Sequence, residues 1–288
     1  MLTSPAVLVR KAVIPVAGRG TRFLPATRSV PKELLPIVDR PALDYVIAEA
    51  ADAGISEVIL VTAPRAEKQA IEEHFRPVES DDARLADLRA LLGRVRITSV
   101  VQAEPLGLGH AVLCARGAVG DEPFAVLLPD DIFSGEPSPT RALADSFERS
   151  GGGGHVILLR VAAEQTHLYG IAGGQAGADG RIAIEQVVEK PPPGTAPSDL
   201  ALVGRYVLPP EIFGLLERTS AGAGGEIQLT DALGALIDEP GLVGVMHGGV
   251  RHDAGDITGW LLANVAFGLT RSELRERLRQ GLTELLGA

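Results

Sequence analysis

Short apolar runs separated by amphipathic stretches set the rhythm of the chain. Ala12 to Val16 is a continuous apolar run that breaks into glycine, Glu57 to Val61 and Phe124 to Leu128 repeat the type, and the mixed stretch Val95 to Val101 predicts a further strand. Runs of this length predict strands buried on both faces. Between them, apolar residues recur at three- and four-residue spacing. Leu43, Val46, Ile47 and Ala50 fall on one face of a helix that opens at Pro41 and is capped at Gly54. Further helices are predicted over 66–75, 81–92, 107–119 and 139–149. The order β-α-β-α-α-β-α-β-α predicts a mostly parallel sheet with helices on both faces and right-handed crossovers.

The pattern changes after Gly151 to Gly154. Val156 to Val161, Tyr169 to Ala172, Arg181 to Val188 and Leu200 to Val207 predict strands, separated by turn signals at Gly173-Gly174, Asp179-Gly180 and Pro191 to Gly194. The segment is too short and strand-rich to fold alone, so the four glycines predict a break within one domain rather than a linker between two. Helices over 209–217 and 227–237, a strand over Leu242 to Met246, and helices over 258–269 and 271–286 complete the chain. The last helix carries Leu274, Leu278, Leu282, Leu285 and Leu286 on one side, a stripe that has to be covered by its own domain or by a second copy. The expectation is an α/β chain. It has a Rossmann-like, mostly parallel mixed sheet flanked by helices, an inserted antiparallel region laid against the first half, and C-terminal helices. One domain over 1–288 divides into 11–150, 151–257 and 258–288.

Composition changes this picture little. An apolar fraction of 45% is ordinary for a globule that buries a sizeable core. No run approaches the roughly 18 apolar residues of a membrane span, and residues 1–10 lack a long apolar core, so no leader is expected. One cysteine, Cys114, precludes an intramolecular disulfide and predicts a reducing compartment, the cytoplasm; its apolar neighbours predict a small buried hydrophobe. The histidines lack metal-ligand spacing.

Charge changes the picture more. The net charge of −10 argues against nucleic-acid and membrane-surface partners. Residues 1–40 reverse it, with seven basic residues against Glu33 and Asp39. Positive charge is therefore concentrated around one loop, Gly18-Arg19-Gly20-Thr21-Arg22, which leaves the first strand. Glycines let backbone N–H groups close on an anion, and Arg22, Arg28 and Lys32 follow closely. The loop lacks the third glycine of a dinucleotide fingerprint, where Phe23 stands, and Asp39 precedes a helix instead of ending a second strand. It also lacks the Gly-Lys-Ser/Thr ending of a Walker loop. A strand-to-helix turn without a ligand would not need the three cations.

The pattern that matches is Gly18-x-Gly20-Thr21-Arg22 followed by Pro31-Lys32-Glu33-Leu34-Leu35-Pro36. With Gly107-Leu108-Gly109-His110, Leu128-Pro129-Asp130, Val188-Glu189-Lys190-Pro191, Val203-Gly204-Arg205-Tyr206, Glu226-Ile227-Gln228-Leu229 and His252-Asp253-x-Gly255, it resembles the signature of sugar-nucleotide pyrophosphorylases over roughly residues 11–270. Among these nucleotidyltransferases the resemblance is to the bacterial enzymes that join UTP to glucose 1-phosphate. It implies UTP, glucose 1-phosphate, UDP-glucose and pyrophosphate as partners, Mg²⁺ as cofactor, and a homo-oligomer, dimer or tetramer. Related thymidylyltransferases and a non-catalytic nucleotide-sugar-binding paralogue are the alternatives; the joint presence of Arg22, Lys32, Asp130 and Lys190 argues against the second.

The resemblance also implies roles. Arg22 and Lys32 hold the triphosphate and steady the leaving pyrophosphate. Asp130, at a strand end, binds the metal, and Asp253 matches a second metal position. Asp131 is a bystander. Lys190 binds the attacking sugar phosphate, while Glu189 and Glu226 accept hydrogen bonds from glucose. Ala17, Gly18, Glu33, Gln102 and Gly107 contact uracil and ribose, with Gly20 and Thr21 in the same loop. Gly170 and Val203 contact the sugar, and His110 supports the nucleotide pocket. The chemistry fits these residue types: a phosphate monoester is already anionic near neutral pH, so transfer needs positioning and charge neutralisation rather than a general base.

Overall fold

The computed structural model describes residues 8–222 and 225–287. Most of the segment expected to hold no leader lies outside them. The strands are β1 (Lys11–Pro15), β2 (Pro36–Ile37), β3 (Arg40–Pro41), β4 (Glu57–Thr62), β5 (Arg96–Val101), β6 (Phe124–Leu127), β7 (Asp131–Ser134), β8 (Gly154–Arg160), β9 (Gly170–Ala176), β10 (Ile182–Glu189), β11 (Leu200–Leu208), β12 (Leu242–Met246) and β13 (Val250–Asp253). Nine of them form one sheet in the order β5-β4-β1-β6-β11-β8-β12-β10-β9. Only β10 and β11 run against the other seven, so the sheet is mixed and mostly parallel.

The expected strands of both halves are present. The antiparallel region joins the first half edge to edge, because β11 pairs antiparallel with β6 and places Arg205 opposite Leu127. The four glycines run straight into β8, which begins at Gly154. Buried apolar residues cover both faces of the sheet, with Val13, Val126, Tyr206 and Leu233 in the cluster on one and Ile14, Leu127, Leu143 and Val207 in that on the other. Strands buried this way explain the unbroken apolar runs.

Four local features depart from the periodic reading. The helix expected over 107–119 breaks at Ala115 into Leu108–Cys114 and Arg116–Val119. The helices expected over 66–75 and 81–92 begin as 3-10 turns, Ala66–Lys68 and Ala83–Leu85. The loop after β1 winds through three 3-10 turns, Thr21–Phe23, Ala26–Arg28 and Lys32–Leu34. Finally, β7 and β13 make a separate two-stranded sheet that sets Asp253 opposite Asp131.

The C-terminal helix Ile257–Thr270 braces that loop. Its Trp260 packs edge-on to Phe23 and donates from Nε1 to the Pro36 carbonyl at 3.0 Å, and Asn264 Oδ1 accepts from the Val38 N–H at 2.8 Å. The final helix, Ser272–Leu286, half-buries Leu278 and Leu282 and leaves Leu285 and Leu286 exposed. Its own domain covers the stripe only in part.

Candidate active site

Parallel sheets open at the carboxyl ends of their strands, and the predicted residues gather there. β1 delivers the glycine loop. Gly20 takes a φ of +62°, and a Cβ there would stand 3.2 Å from both Lys32 and Thr27 side chains, so glycine is required. Thr27 Oγ1 donates to the Gly20 carbonyl at 2.7 Å and fastens the turn. From the far side, Arg65 donates to the carbonyls of Ala17 and Gly18. Arg65 was not among the expected site residues; no motif marks it.

β6 delivers Asp130. Lys32 Nζ sits 2.5 Å from Asp130 Oδ2. Burial alone would raise the Asp130 pKa, but the Lys32 ammonium and its hydrogen bond outweigh burial and hold the carboxyl below its ordinary range. Burial likewise pulls Lys32 down, and Asp130 with Glu33 more than offsets it, leaving the ammonium firmly protonated.

Two cavities meet at this pair. The first, about 600 Å³, is lined by Ala17, Gly18, Lys32, Gln102, Gly107, Glu226 and Asp130. Gly107 has a φ of +96°, and a Cβ would fall 2.7 Å from the Glu226 Cβ. The Ile227 N–H donates to the Leu106 carbonyl at 2.7 Å, and the Gly109 N–H to the Ile227 carbonyl at 2.9 Å. These bonds zip the start of the Leu108–Cys114 helix to the loop around Ile227. Gln102, 6% exposed, projects into the cavity just past β5.

The second cavity, about 250 Å³, is lined by Arg22, Gly170, Glu189, Lys190, Val203 and Asp253, and shares Asp130. Thr230 Oγ1 donates to Glu189 Oε2 at 2.7 Å. Lys190 is a non-glycine residue with a φ of +45°, and its largely exposed Nζ lies 3.4 Å from Glu189 Oε1. A side chain held in the left-handed region costs roughly 1–2 kcal/mol, and such strain collects at functional sites.

Asp130, Asp253 and Arg22 converge. From the point where a Cβ on Gly255 would stand, Asp253 Oδ1 is 2.9 Å away, Asp130 Oδ2 3.1 Å and Arg22 Nη1 3.6 Å. Two carboxylates beside an open cavity suit a small hard cation that takes one or two protein oxygens and fills the rest of its shell with phosphate and water. The donor set therefore fits Mg²⁺. Among the described residues no group of three or more His, Cys, Asp or Glu side chains gathers as a closed metal cage.

Buried ion pairs hold this centre. Arg205, 1% exposed, donates to Glu49 Oε2 at 2.8 Å and to the carbonyls of Leu128, Gly204 and Asp131 at 3.1, 2.9 and 2.7 Å. It thus grips both ends of the turn that carries Asp130. Arg251 donates from Nε to Asp131 Oδ1 at 2.6 Å and from Nη2 to Asp253 Oδ2 at 2.9 Å. Burial pushes Asp131 up to about 6, the Arg251 guanidinium working against it. Asp131 is the buried anchor of the β7–β13 sheet and also borders the second cavity beside Asp130. Arg205 was visible within a quoted motif, but nothing in the sequence marked its role or that of Arg251.

Some residues lie elsewhere than expected. Arg22 opens onto the second cavity, beside the carboxylates, rather than onto the first with Lys32. Glu226 lines the first cavity, not the sugar side, where Gln228 and Thr230 stand. Gly20, Thr21 and Glu33 line neither. The tight turn at Lys32–Leu34 sends Lys32 into the cleft and Glu33 into the interior, where its carboxylate meets Lys68 Nζ at 2.7 Å. Cys114 is half-buried 3.9 Å from His110, its thiol pKa raised by burial.

Residues 11–265 match the family model described as nucleotidyl transferase. A UTP–glucose-1-phosphate uridylyltransferase of Bacillus subtilis (strain 168) is 46% identical over 279 residues, 94% of either chain. One from Staphylococcus epidermidis is 40% identical over 96% of this chain and 98% of its own. Among solved structures, a UDP-glucose pyrophosphorylase complexed with UDP-glucose superposes with a TM-score of 0.86 at 35% identity, covering 92% of this chain and all of that one. A UTP-bound relative from Acinetobacter baumannii gives 0.84 at 40% identity, covering 96% and 100%. The family model and the near full-length relatives agree, and the chain belongs to the nucleotidyl transferase family.

Proposed function

We propose that this chain transfers the uridylyl group of UTP to glucose 1-phosphate, releasing pyrophosphate and forming UDP-glucose. The observation that carries the reading is the junction of two cavities at Lys32 and Asp130. One is large enough for a nucleotide and lined by glycine turns, an amide and the Lys32 ammonium; the other is smaller and lined by Lys190, Arg22 and carboxylates. The relatives named for this reaction match nearly the whole chain.

In this reading Ala17, Gly18, Gln102 and Gly107 seat the base and ribose. Lys32 exchanges Asp130 for a phosphate oxygen of UTP, keeping one anion beside its ammonium throughout. Lys190 and Arg22 orient the phosphate of glucose 1-phosphate, and Glu189 with the Gly170 and Val203 backbone orients the sugar. A phosphate oxygen of the sugar attacks the α-phosphorus in line, the bond from that phosphorus to the bridging oxygen breaks, and pyrophosphate departs with the electron pair. No proton has to move. Asp130 and Asp253 would hold Mg²⁺, which when bound offsets charge on the phosphates. Gly20 and Thr21 shape the loop, and Glu33 supports it through Lys68.

We read the chain as one domain, with 11–150 serving the nucleotide, 151–257 the sugar and 258–288 as bracing helices. Among the described residues no helix is long and apolar enough to cross a membrane. The polar, diffusible substrates and the single cysteine support a cytoplasmic setting. The exposed Leu261, Leu262, Leu285 and Leu286 support assembly into a homo-oligomer.

Pyrophosphate release, measured with glucose 1-phosphate and Mg²⁺ and with UTP or dTTP in turn, tests the function. UTP is expected to be the better nucleotide. Equal or faster release with dTTP would assign the chain to thymidylyl transfer, and UDP-glucose binding without turnover would make it a binding protein.

A further inference from the structure

Gln102 enters the first cavity with a side chain that could present either end of its amide. The surroundings leave one choice. Gln102 Nε2 donates to the Gly107 carbonyl at 3.1 Å. A carbonyl can only accept, so the amide nitrogen must face it. That carbonyl also accepts the Ala111 N–H at 3.1 Å, which ties it to the first turn of the Leu108–Cys114 helix. The same nitrogen lies 3.0 Å from His110 Nδ1, to which its second hydrogen can be donated. With both hydrogens engaged inside the protein, Oε1 is left without a protein partner among the described residues, and the amide offers the cavity an acceptor only.

We propose that His110 is a specificity-determining positioning residue: its Nδ1 completes a lock that holds Gln102 with its carbonyl toward the base, admitting bases that present an N3–H and rejecting cytosine. The inference rests on the proposed seating of the nucleotide in this cavity. Uracil carries a hydrogen on N3 and cytosine carries a lone pair there. An outward Oε1 meets the first with a hydrogen bond and the second with lone-pair repulsion. Turning the amide would put Oε1 against the Gly107 carbonyl and its nitrogen toward the base, the arrangement that cytosine needs. His110 raises the cost of that turn, because the nitrogen at 3.0 Å is the strong donor to its Nδ1, the Cys114 thiol at 3.9 Å being a weak one. This requires the His110 tautomer protonated at Nε2. The backbone holds Gln102 itself, whose N–H donates to the Thr62 carbonyl at 2.7 Å.

The test compares the unaltered protein with His110→Phe, which keeps a ring but loses the acceptor, and His110→Asn, which restores an acceptor. Affinities for UTP and CTP with Mg²⁺ are measured by calorimetry, so the outcome does not depend on turnover. The preference for UTP over CTP is expected to fall about tenfold in His110→Phe, the range set by one buried donor left unpaired, and to recover largely in His110→Asn. KM for glucose 1-phosphate is expected to stay within about twofold, a split that general loss of structure would not give. A UTP-to-CTP ratio unchanged in His110→Phe would overturn the proposal, as would a fall that His110→Asn does not reverse. UTP binding with the expected ratios but without pyrophosphate release would instead sink the transferase reading and leave the lock standing.

Discussion

In the proposed reading the two cavities solve different recognition problems with different materials. The nucleotide side sets backbone, the Ala17–Gly18 turn and the Gly107 turn with its positive φ, and one amide of fixed orientation beside a few charges, Arg19, Lys32, Asp130 and Glu226. The sugar side is built from charge: Lys190, Arg22, Glu189, Arg251 and Asp253, each of the last three already in a hydrogen bond or ion pair. A flat base is read by shape and a few directional groups, which tolerate no movement. A sugar phosphate is captured by charge, and the paired carboxylates keep those charges in place before it arrives.

The comparison can be broken where the two sides share a support. Arg205→Met leaves the largely buried Glu49 carboxylate without its counter-charge, Thr140 alone still donating to it, and frees the turn carrying Asp130. Breaking such a pair costs about 3–5 kcal/mol, so the thermal midpoint is expected to drop sharply, and Glu49→Met added to it should recover part of the loss. An unchanged midpoint would show that the turn does not depend on Arg205.

Asp130→Asn strikes the junction itself. It removes the counter-charge of Lys32 and one of the two carboxylates suited to the metal. Pyrophosphate release is expected to fall by about 10²–10³ with the fold retained by circular dichroism. A loss smaller than tenfold would remove Asp130 from the centre of the reaction.

Lys190→Ala tests the sugar side alone. Loss of a charge-assisted contact is expected to lower kcat/KM for glucose 1-phosphate by roughly 10- to 100-fold, while the Kd for UTP, read by calorimetry, stays within about threefold. Lost UTP binding would merge the two sides into one site.

Gly107→Ala tests the nucleotide side alone. The added methyl meets Glu226 and the Ile227 carbonyl at a φ of +96°. Strain of about 1–2 kcal/mol is expected, read as a roughly tenfold higher KM for UTP with KM for glucose 1-phosphate little changed. An equal rise in both would show that the Gly107 turn serves both cavities.

The sequence disclosed the two sides unequally. Strands buried on both faces announce themselves as unbroken apolar runs, so β1, β4, β6 and β11 were legible, and with them Asp130 at a strand end. Lys190 and Gln102 were legible only through the motif match, because a lone Lys before proline or a lone Gln after a strand carries no periodic signal. The β7–β13 pairing was not legible. Its two strands are four residues each and lie 120 positions apart at Asp131 and Arg251, too short and too distant to show a period. Glu33 was misplaced for a related reason: 3-10 turns reverse direction within three residues, so adjacency to Lys32 says nothing about sharing its side of the chain.

The zip between the Gly107 turn and Ile227 makes the nucleotide pocket a product of chain closure. One wall of it is supplied more than a hundred residues downstream of the loop it completes. A fragment ending near residue 150 would keep the glycine loop, Lys32, Gln102 and Asp130 yet present an open trough. The first half is therefore not a transplantable cassette, and grafting base recognition onto another scaffold would require carrying the 225–230 segment with it.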